Sequence, residues 1–276
     1  MCKIFNISRS GYYSWLNRPI SRRAQENKQL GDNITQIYIK HKGKYGCPRI
    51  TKELHKTGLS CGKNRVYNIM NKLNIKAKNK RKFRVTTDSN HNLPIHKNII
   101  NRDFTATDIN QKWFSDISYI ETNEGWLFLA IVLDVYSRAI VGWSMDKTMT
   151  KELVCDALNM ALWRRQFPKG VIIHSDRGSQ YCSKEYQNML NNNQFICSMS
   201  RKGNCWDNAI AETFFHTLKT ELVYDYKYKT REEAKNSIFN YIETYYNQTR
   251  IHSSIGYLSP MEFEFKIHKL VSSKTR

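Results

Sequence analysis

The sequence has no apolar run long enough to cross a bilayer. The longest, Trp126 to Leu133, is eight residues, against the roughly 20 that a transmembrane helix needs, and it reads as a buried strand. No apolar leader opens the chain, since Met1-Cys2-Lys3-Ile4-Phe5 passes at once into polar residues. The expectation is a cytoplasmic protein with no membrane partner. Paired cysteines are missing too. The seven cysteines are an odd set (2, 47, 61, 155, 182, 197 and 205) without a C-x-x-C pair, which argues against a disulfide scaffold and for a reducing compartment. A chain of 276 residues can bury roughly 70–75% of its unfolded surface and needs no such staple. Acidic side chains are the remaining shortage, with 24 Asp and Glu against 44 Lys and Arg, for a formal charge of +20. The imbalance lies at the front: residues 1–110 hold 23 basic and 6 acidic side chains, and residues 111–276 hold 21 and 18. That distribution disfavours an ordinary neutral metabolic enzyme. It points to a polyanion-binding front half joined to a half with its own chemistry.

Punctuation and periodicity divide the chain into an N-terminal helical segment (1–21), a basic region (22–83), a polar linker (84–110), a core (111–265) and a basic tail (266–276). In the basic region, helices are expected over 22–42, 48–57 and 63–73. Leu30, Ile34 and Ile37, then Ile50 and Leu54, then Val66, Ile69, Met70 and Leu73 form their apolar faces. Three short helices joined by glycine turns read as a helix-turn-helix module. Lys63, Asn64, Arg65 and Asn68 then fall on the exposed side of the recognition helix. Lys78, Lys80, Arg81 and Lys82, in the run that follows, suit phosphates rather than bases. A small helical bundle with a solvated basic face is the competing reading. From Gln111 the pattern changes to strands at 113–120, 126–134 and 138–143, a helix at 150–164, a strand at 171–175, a helix at 183–192, a strand at 195–198, and helices at 207–222 and 231–246. The fold class expected is α/β, a mixed sheet covered by helices in the ribonuclease-H-like order, an order that many α/β domains share.

Three acids occupy unusual places. Asp116 lies inside the first strand, Asp176 directly follows Val171-Ile172-Ile173, and Glu212 sits in a helix among Ala211, Phe214 and Phe215. Singly, each has an ordinary explanation: a solvent-facing strand residue, a turn or cap, an exposed helix residue. Together they can supply oxygen ligands for hard divalent ions. Two Mg²⁺ or Mn²⁺ ions about 3.5–4 Å apart assist phosphodiester chemistry by stabilising both attacking and leaving oxygens. Zinc would call for His and Cys. His41, Cys47, His55 and Cys61 lack the usual finger spacing and read as structural. Trp113, Tyr119, Trp126 and Phe128 are either stacking platforms or, at strand spacing, core.

The wording around these acids resembles the second-frame transposase of bacterial insertion sequences, whose core is similar to retroviral integrase. Thirty-five residues lie between Asp176 and Glu212, and 59 lie between Asp116 and Asp176. The neighbouring strings are His174-Ser175-Asp176-Arg177-Gly178-Ser179-Gln180-Tyr181, then Gly203-Asn204-Cys205-Trp206-Asp207-Asn208-Ala209, then Tyr246-Asn247-Gln248-Thr249-Arg250-Ile251-His252-Ser253-Ser254-Ile255-Gly256-Tyr257. The likeness covers nearly the whole chain. It departs at Ile109-Asn110, where the family often has Pro before Asn. The resemblance implies that Asp116, Asp176 and Glu212 are catalytic metal ligands for two Mg²⁺ or Mn²⁺ ions. It implies that Lys219, two helical turns beyond Glu212, positions DNA phosphate. Arg250 and His252 would touch DNA or support the site, or else form a packed cap. Asn208 would orient a carboxylate or cap the helix. The implied partners are double-stranded DNA of element ends and target, a second copy of the chain, and an upstream-frame protein or its frameshift fusion, all within the nucleoid. A non-catalytic DNA-binding regulator and a nuclease that cuts without joining are the alternatives.

Overall fold

A computed structural model describes residues 2, 4–78, 94–201 and 205–274, in two compact units divided after Lys78. Lys80, Arg81 and Lys82 lie outside the described residues.

The first unit opens with α1 (Arg9–Leu16), whose preceding Ser8 hydroxyl accepts from the Gly11 amide and which buries none of its residues. Then come α2 (Arg22–Lys40), α3 (Cys47–Lys56) and α4 (Lys63–Lys72). Ser21 caps α2 by accepting from the Ala24 amide, and Pro48 occupies the first turn of α3, where its missing N–H is no loss. Leu30, Ile34, Ile50, Leu54, Val66, Ile69 and Met70 of the expected apolar faces are buried, whereas Ile37 is half-buried and Leu73, the C-cap of α4, is exposed. The Cys47 thiol donates to the Lys63 carbonyl over 3.3 Å, fastening the start of α3 to the start of α4. His55 Nε2 is engaged by the Cys61 carbonyl at 2.8 Å. These groups are structural, and no metal-binding cluster exists among the described residues.

The second unit is a five-stranded sheet in the order β3-β2-β1-β4-β5. Strands β1 (Lys112–Thr122), β2 (Gly125–Asp134) and β3 (Ile140–Asp146) form an antiparallel meander, while β4 (Ile172–Ser175) and β5 (Ile196–Met199) run parallel to β1. This is the ribonuclease-H-like arrangement. Each parallel step needs a crossover, and α5 (Lys151–Arg164) and α6 (Lys184–Asn192) supply them. Both pack on one face, over Trp113, Ala130, Val132 and Val141. The other face, with Phe114, Ile120, Leu129, Ile131 and Leu133, is covered by α7 (Ala209–Glu221), α8 (Arg231–Asn240) and a π-helical turn, Tyr241–Tyr246. Trp113 is therefore core, donating its indole N–H to Asp134 at 3.2 Å. Tyr119 and the half-exposed Trp126 meet edge to face at 4.9 Å.

Three features differ from the sequence expectation. The helix expected over 231–246 changes to π geometry at Tyr241, which brings Tyr241, Ile242 and Tyr246 all inward. A further helix, α9 (Pro260–Lys274), crosses the boundary drawn at 265 and includes most of the segment read as a tail. The described part of the segment read as a linker is a strap on the core: Ile100 is buried, Phe104 packs against Phe114, and the Met199 amide donates to the Lys97 carbonyl.

Candidate active site

β1 and β4 pair in parallel with Phe114 opposite His174. Side chains alternate along a strand, so Asp116 shares the α7-facing side with Phe114 and Ile120. Extending the register by two residues sets Asp116 beside Asp176, just past the end of β4. The two charges interact: burial first, then the Asp176 carboxylate, then Glu212, push the Asp116 carboxyl well above the usual carboxylate range. Lys219 opposes that rise. The three acids, with 59 and 35 residues between them in the chain, thus share one electrostatic neighbourhood.

Local chain geometry holds two of them. The Ile117 amide donates to Asp116 Oδ1 and the Gly178 amide to Asp176 Oδ1, each at 2.9 Å. A side chain at Gly178 would come within 3.0 Å of the Asp176 carboxylate, so the bare glycine lets the backbone close on the acid. Beneath Asp176, His174 is fully buried, its ring nitrogens against Ser198 Oγ at 2.9 Å and Ser200 Oγ at 3.1 Å. Burial lowers its pKa to about 4, so the ring is neutral near pH 7. Ser198 Oγ also accepts from the Ile99 amide, which ties the strap to β5 and β4.

Glu212 stands in the first turn of α7. Burial raises its pKa, and it has no hydrogen-bond or ion-pair partner among the described residues. No three carboxylates form a closed metal cage among the described residues. The donor set nevertheless fits a hard divalent cation. It is all oxygen, the acids repel one another, and one of them lacks a counter-charge.

Behind the acids, Ser115 Oγ donates to the Ile131 carbonyl at 2.8 Å and receives the buried Tyr181 hydroxyl at 3.1 Å. The Asp116 and Asp176 charges, added to burial, hold the Tyr181 phenol well above its ordinary pKa. Tyr181 was visible in the string that follows Asp176, but nothing in its spacing revealed its role. Asn208 donates to the Ser115 carbonyl at 3.5 Å, while its buried Oδ1 has no partner. It makes no side-chain cap to α7, contrary to one expectation.

The residues expected to meet DNA divide sharply. Lys63, Asn64 and Asn68 are exposed on α4. Arg65 instead turns to α2, donating to Asn27 at 2.8 Å and to Glu26 at 3.4 Å. Lys78 is partly buried, its backbone amide bonded to the Gly43 carbonyl. Lys219 is 8% exposed, with Nζ 4.7 Å from the centre of the Tyr119 ring; burial lowers its pKa and Asp116 supports its charge. Arg250 and His252 are buried away from any ligand. Arg250 pairs with Glu221 through bonds of 2.8–3.0 Å and packs against His252 at 3.2 Å. Direct DNA contact by this pair is thereby corrected to the packed cap, because the guanidinium is spent on a buried carboxylate.

The integrase core domain family matches residues 106–205 and 212–267, and an HTH-like domain matches 24–83. The transposase InsF for insertion sequence IS3A of Escherichia coli (strain K12) is 44% identical over 268 residues, 96% of this chain and 93% of its own. The uncharacterized 31 kDa protein of insertion element IS600 from Shigella sonnei is 44% identical over 272 residues, 99% of this chain and 100% of its own. Among solved structures, a chain of the simian T-cell lymphotropic virus intasome in complex with PP2A regulatory subunit B56 gamma aligns at 16% identity and a TM-score of 0.49. That alignment covers 84% of this chain and 73% of that one. The HTLV-2 integrase catalytic core domain in complex with magnesium aligns at 16% identity over 56% of this chain and 95% of its own, with a TM-score of 0.43. The near-complete coverage at 44% identity, over a chain whose sheet already gathers the three acids, leads to one conclusion: the chain belongs to the family of insertion-sequence transposases built on an integrase core domain.

Proposed function

We propose that Asp116, Asp176 and Glu212 are the phosphodiester-transfer centre of this DNA transposase. The single observation carrying the reading is their convergence, with Asp176 and Glu212 both acting on the Asp116 carboxyl. These three acids would hold a pair of magnesium or manganese ions, which would supply the positive charge that phosphodiester chemistry requires. The remaining work belongs to the chain. The Ile117 and Gly178 amides fix the rotamers of the two aspartates. Tyr181 and Ser115 form a dry floor behind them. Lys219, buried against the Tyr119 ring, supplies the cation that balances the Asp116 charge and, on this reading, positions a DNA phosphate. In the first reaction a water oxygen attacks a phosphodiester at the element end and a 3′-hydroxyl leaves. In the second, that hydroxyl attacks another DNA phosphodiester, forming a new P–O bond while the P–O3′ bond of the attacked strand breaks and its 3′-hydroxyl leaves with the proton. Alignment and fixed charge lower both barriers, without a covalent protein–DNA intermediate.

The DNA partners are the element ends and a target duplex. Joining two ends calls for at least two copies of the chain, and the upstream-frame protein, or a fusion to it, is the further partner. Among the described residues no helix is long and apolar enough to cross a membrane, which accords with a place beside the nucleoid. Asp116→Asn, Asp176→Asn and Glu212→Gln should each reduce end cleavage and Mn²⁺-dependent joining by at least about 100-fold, the scale of losing several kcal/mol of charge stabilisation. Gel-shift affinity for end DNA should hold. Near-normal turnover by any one of the three would defeat the assignment, and cutting without joining by the parent protein would make it a nuclease.

A further inference from the structure

Tyr119 is neither a bare stacking platform nor core. It is half-buried on β1, opposite Phe128 in the register with β2. Standing three residues past Asp116, it alternates to the other face of the sheet. β4 pairs with β1 only as far as Phe114, and the next contact on that side is the isolated bridge of Thr122 to Tyr228. Between the two, that edge of β1 has no partner strand among the described residues, which leaves the ring room to reach around it toward α7. There the Lys219 ammonium lies over the ring, 4.7 Å from its centre. Trp126 meets the same ring edge to face at 4.9 Å. The hairpin that carries both aromatics is fastened at its tip. The Arg231 amide donates to Glu124 at 2.8 Å, Arg231 Nε to the Trp126 carbonyl at 3.0 Å, and the Asn123 amide to the Tyr228 carbonyl at 3.0 Å.

A lysine ammonium is a strongly hydrated point charge on a flexible four-carbon stem, and by itself it points nowhere in particular. Lys219 is nearly buried in the last turn of α7, so protein groups must stand in for much of its hydration. The face of a tyrosine ring carries the negative lobe of its quadrupole and attracts a cation within about 6 Å, more strongly once water is excluded. The Asp116 charge attracts the same ammonium. A ring on a braced hairpin and a carboxylate on the same strand therefore narrow the positions open to it. We propose that Tyr119 is a positioning residue of the phosphodiester-transfer centre, its ring face holding the Lys219 ammonium beside Asp116, with Trp126 steadying the ring. The inference rests on the reading of Lys219 given above and adds the group through which that lysine is aimed.

The test is a double-variant cycle in the full chain, read as metal-free affinity for an end duplex and as kcat/KM for Mn²⁺-dependent end cleavage. Tyr119→Leu keeps an apolar side chain but removes the ring face, and should lower both by about 2- to 30-fold, the range for one cation–π contact. Tyr119→Phe, which keeps the face, should stay close to the parent. Lys219→Met should be defective alone, and adding Tyr119→Leu to it should cost nothing more, because the ring acts only through the lysine. Pentafluorophenylalanine in place of Tyr119 is close to phenylalanine in size with the negative charge drained from its face, and should behave like Tyr119→Leu. A ring that merely fills space gives additive losses in the cycle and no response to fluorine, and either result overturns the proposal. Parent-like behaviour of Tyr119→Leu does the same. An additive cycle beside a defective Lys219→Met removes the ring's role and leaves the lysine's, whereas a parent-like Lys219→Met removes both. An active Asp116→Asn would sink the catalytic reading and leave the binding cycle to be judged alone.

Discussion

Arg250 and Glu221 are 29 residues apart in sequence and meet in the interior through a forked pair, with the Tyr241 hydroxyl donating to the same carboxylate at 2.8 Å. Burial alone would lower an arginine's pKa, yet the Glu221 charge drives it above even the ordinary arginine value. Glu221 is the last residue of α7, the helix that carries Glu212 and Lys219. The pair therefore sets where the far end of that helix lies. Removing one partner strands a buried charge, which costs roughly 3–5 kcal/mol, whereas replacing both with apolar residues is often close to neutral. Arg250→Met should accordingly lower unfolding free energy by about that amount, and Arg250→Met with Glu221→Leu should recover most of it. Urea unfolding of the full chain measures both. A double variant no more stable than Arg250→Met would show that the pair is not acting as a unit.

At the scale of elements, the sheet and its covering helices were largely legible, because alternation along β1 and β2 and the apolar faces of α2 to α5 are local signals. Asp116 and Asp176 were legible as oddities, charges inside apolar strings. Their adjacency came only with the parallel register of β1 and β4. What was not legible depends on partners remote in sequence. The strap at 97–106 is polar in composition, and it is held by partners far along the chain: Ile100, Phe104 and Ala106 pack on the core, and Ser198 and Asp207 accept hydrogen bonds from it. Asp207 stood only as the first residue of the helix expected over 207–222, and the arrival of Asn98 and Arg102, more than a hundred residues earlier, makes it a knot. Helix α9 lacks an apolar stripe strong enough to announce itself beyond Pro260. Element packing is tightest where α5 crosses β3. A Cβ on Gly142 would sit 2.1 Å from the Ala157 carbonyl oxygen and 2.8 Å from the Ala161 amide nitrogen, both backbone atoms that cannot swing aside. Gly142→Ala should therefore push α5 off the sheet and destabilise the core by at least about 1–3 kcal/mol. A thermal melt unchanged from the parent would mean the helix has slack that this spacing denies.

Charge is separated along the chain. Residues 1–110 carry 17 excess positive charges and residues 111–276 carry 3, so long-range attraction to DNA belongs mainly to the front. Cations facing phosphate act through released counterions, which steepens the dependence of binding on salt by about 0.9 per contact in a log–log plot. Groups facing base edges leave that slope alone and change which sequences bind. Replacing Lys78, Lys80, Arg81 and Lys82 together by Gln in the full chain should flatten the slope by about 3 to 4, weakening all duplexes alike. Asn68→Ala, on the exposed side of α4, should keep the slope and blur the preference for end DNA over random duplex. Fluorescence anisotropy titrations over a range of salt concentrations, on both duplexes, read the two quantities separately. If the fourfold substitution alters preference and Asn68→Ala alters slope, the assignment of phosphate grip and base reading within residues 63–82 is reversed. If neither responds, the DNA grip lies elsewhere on the protein, and the surplus of charge at the front serves another polyanion.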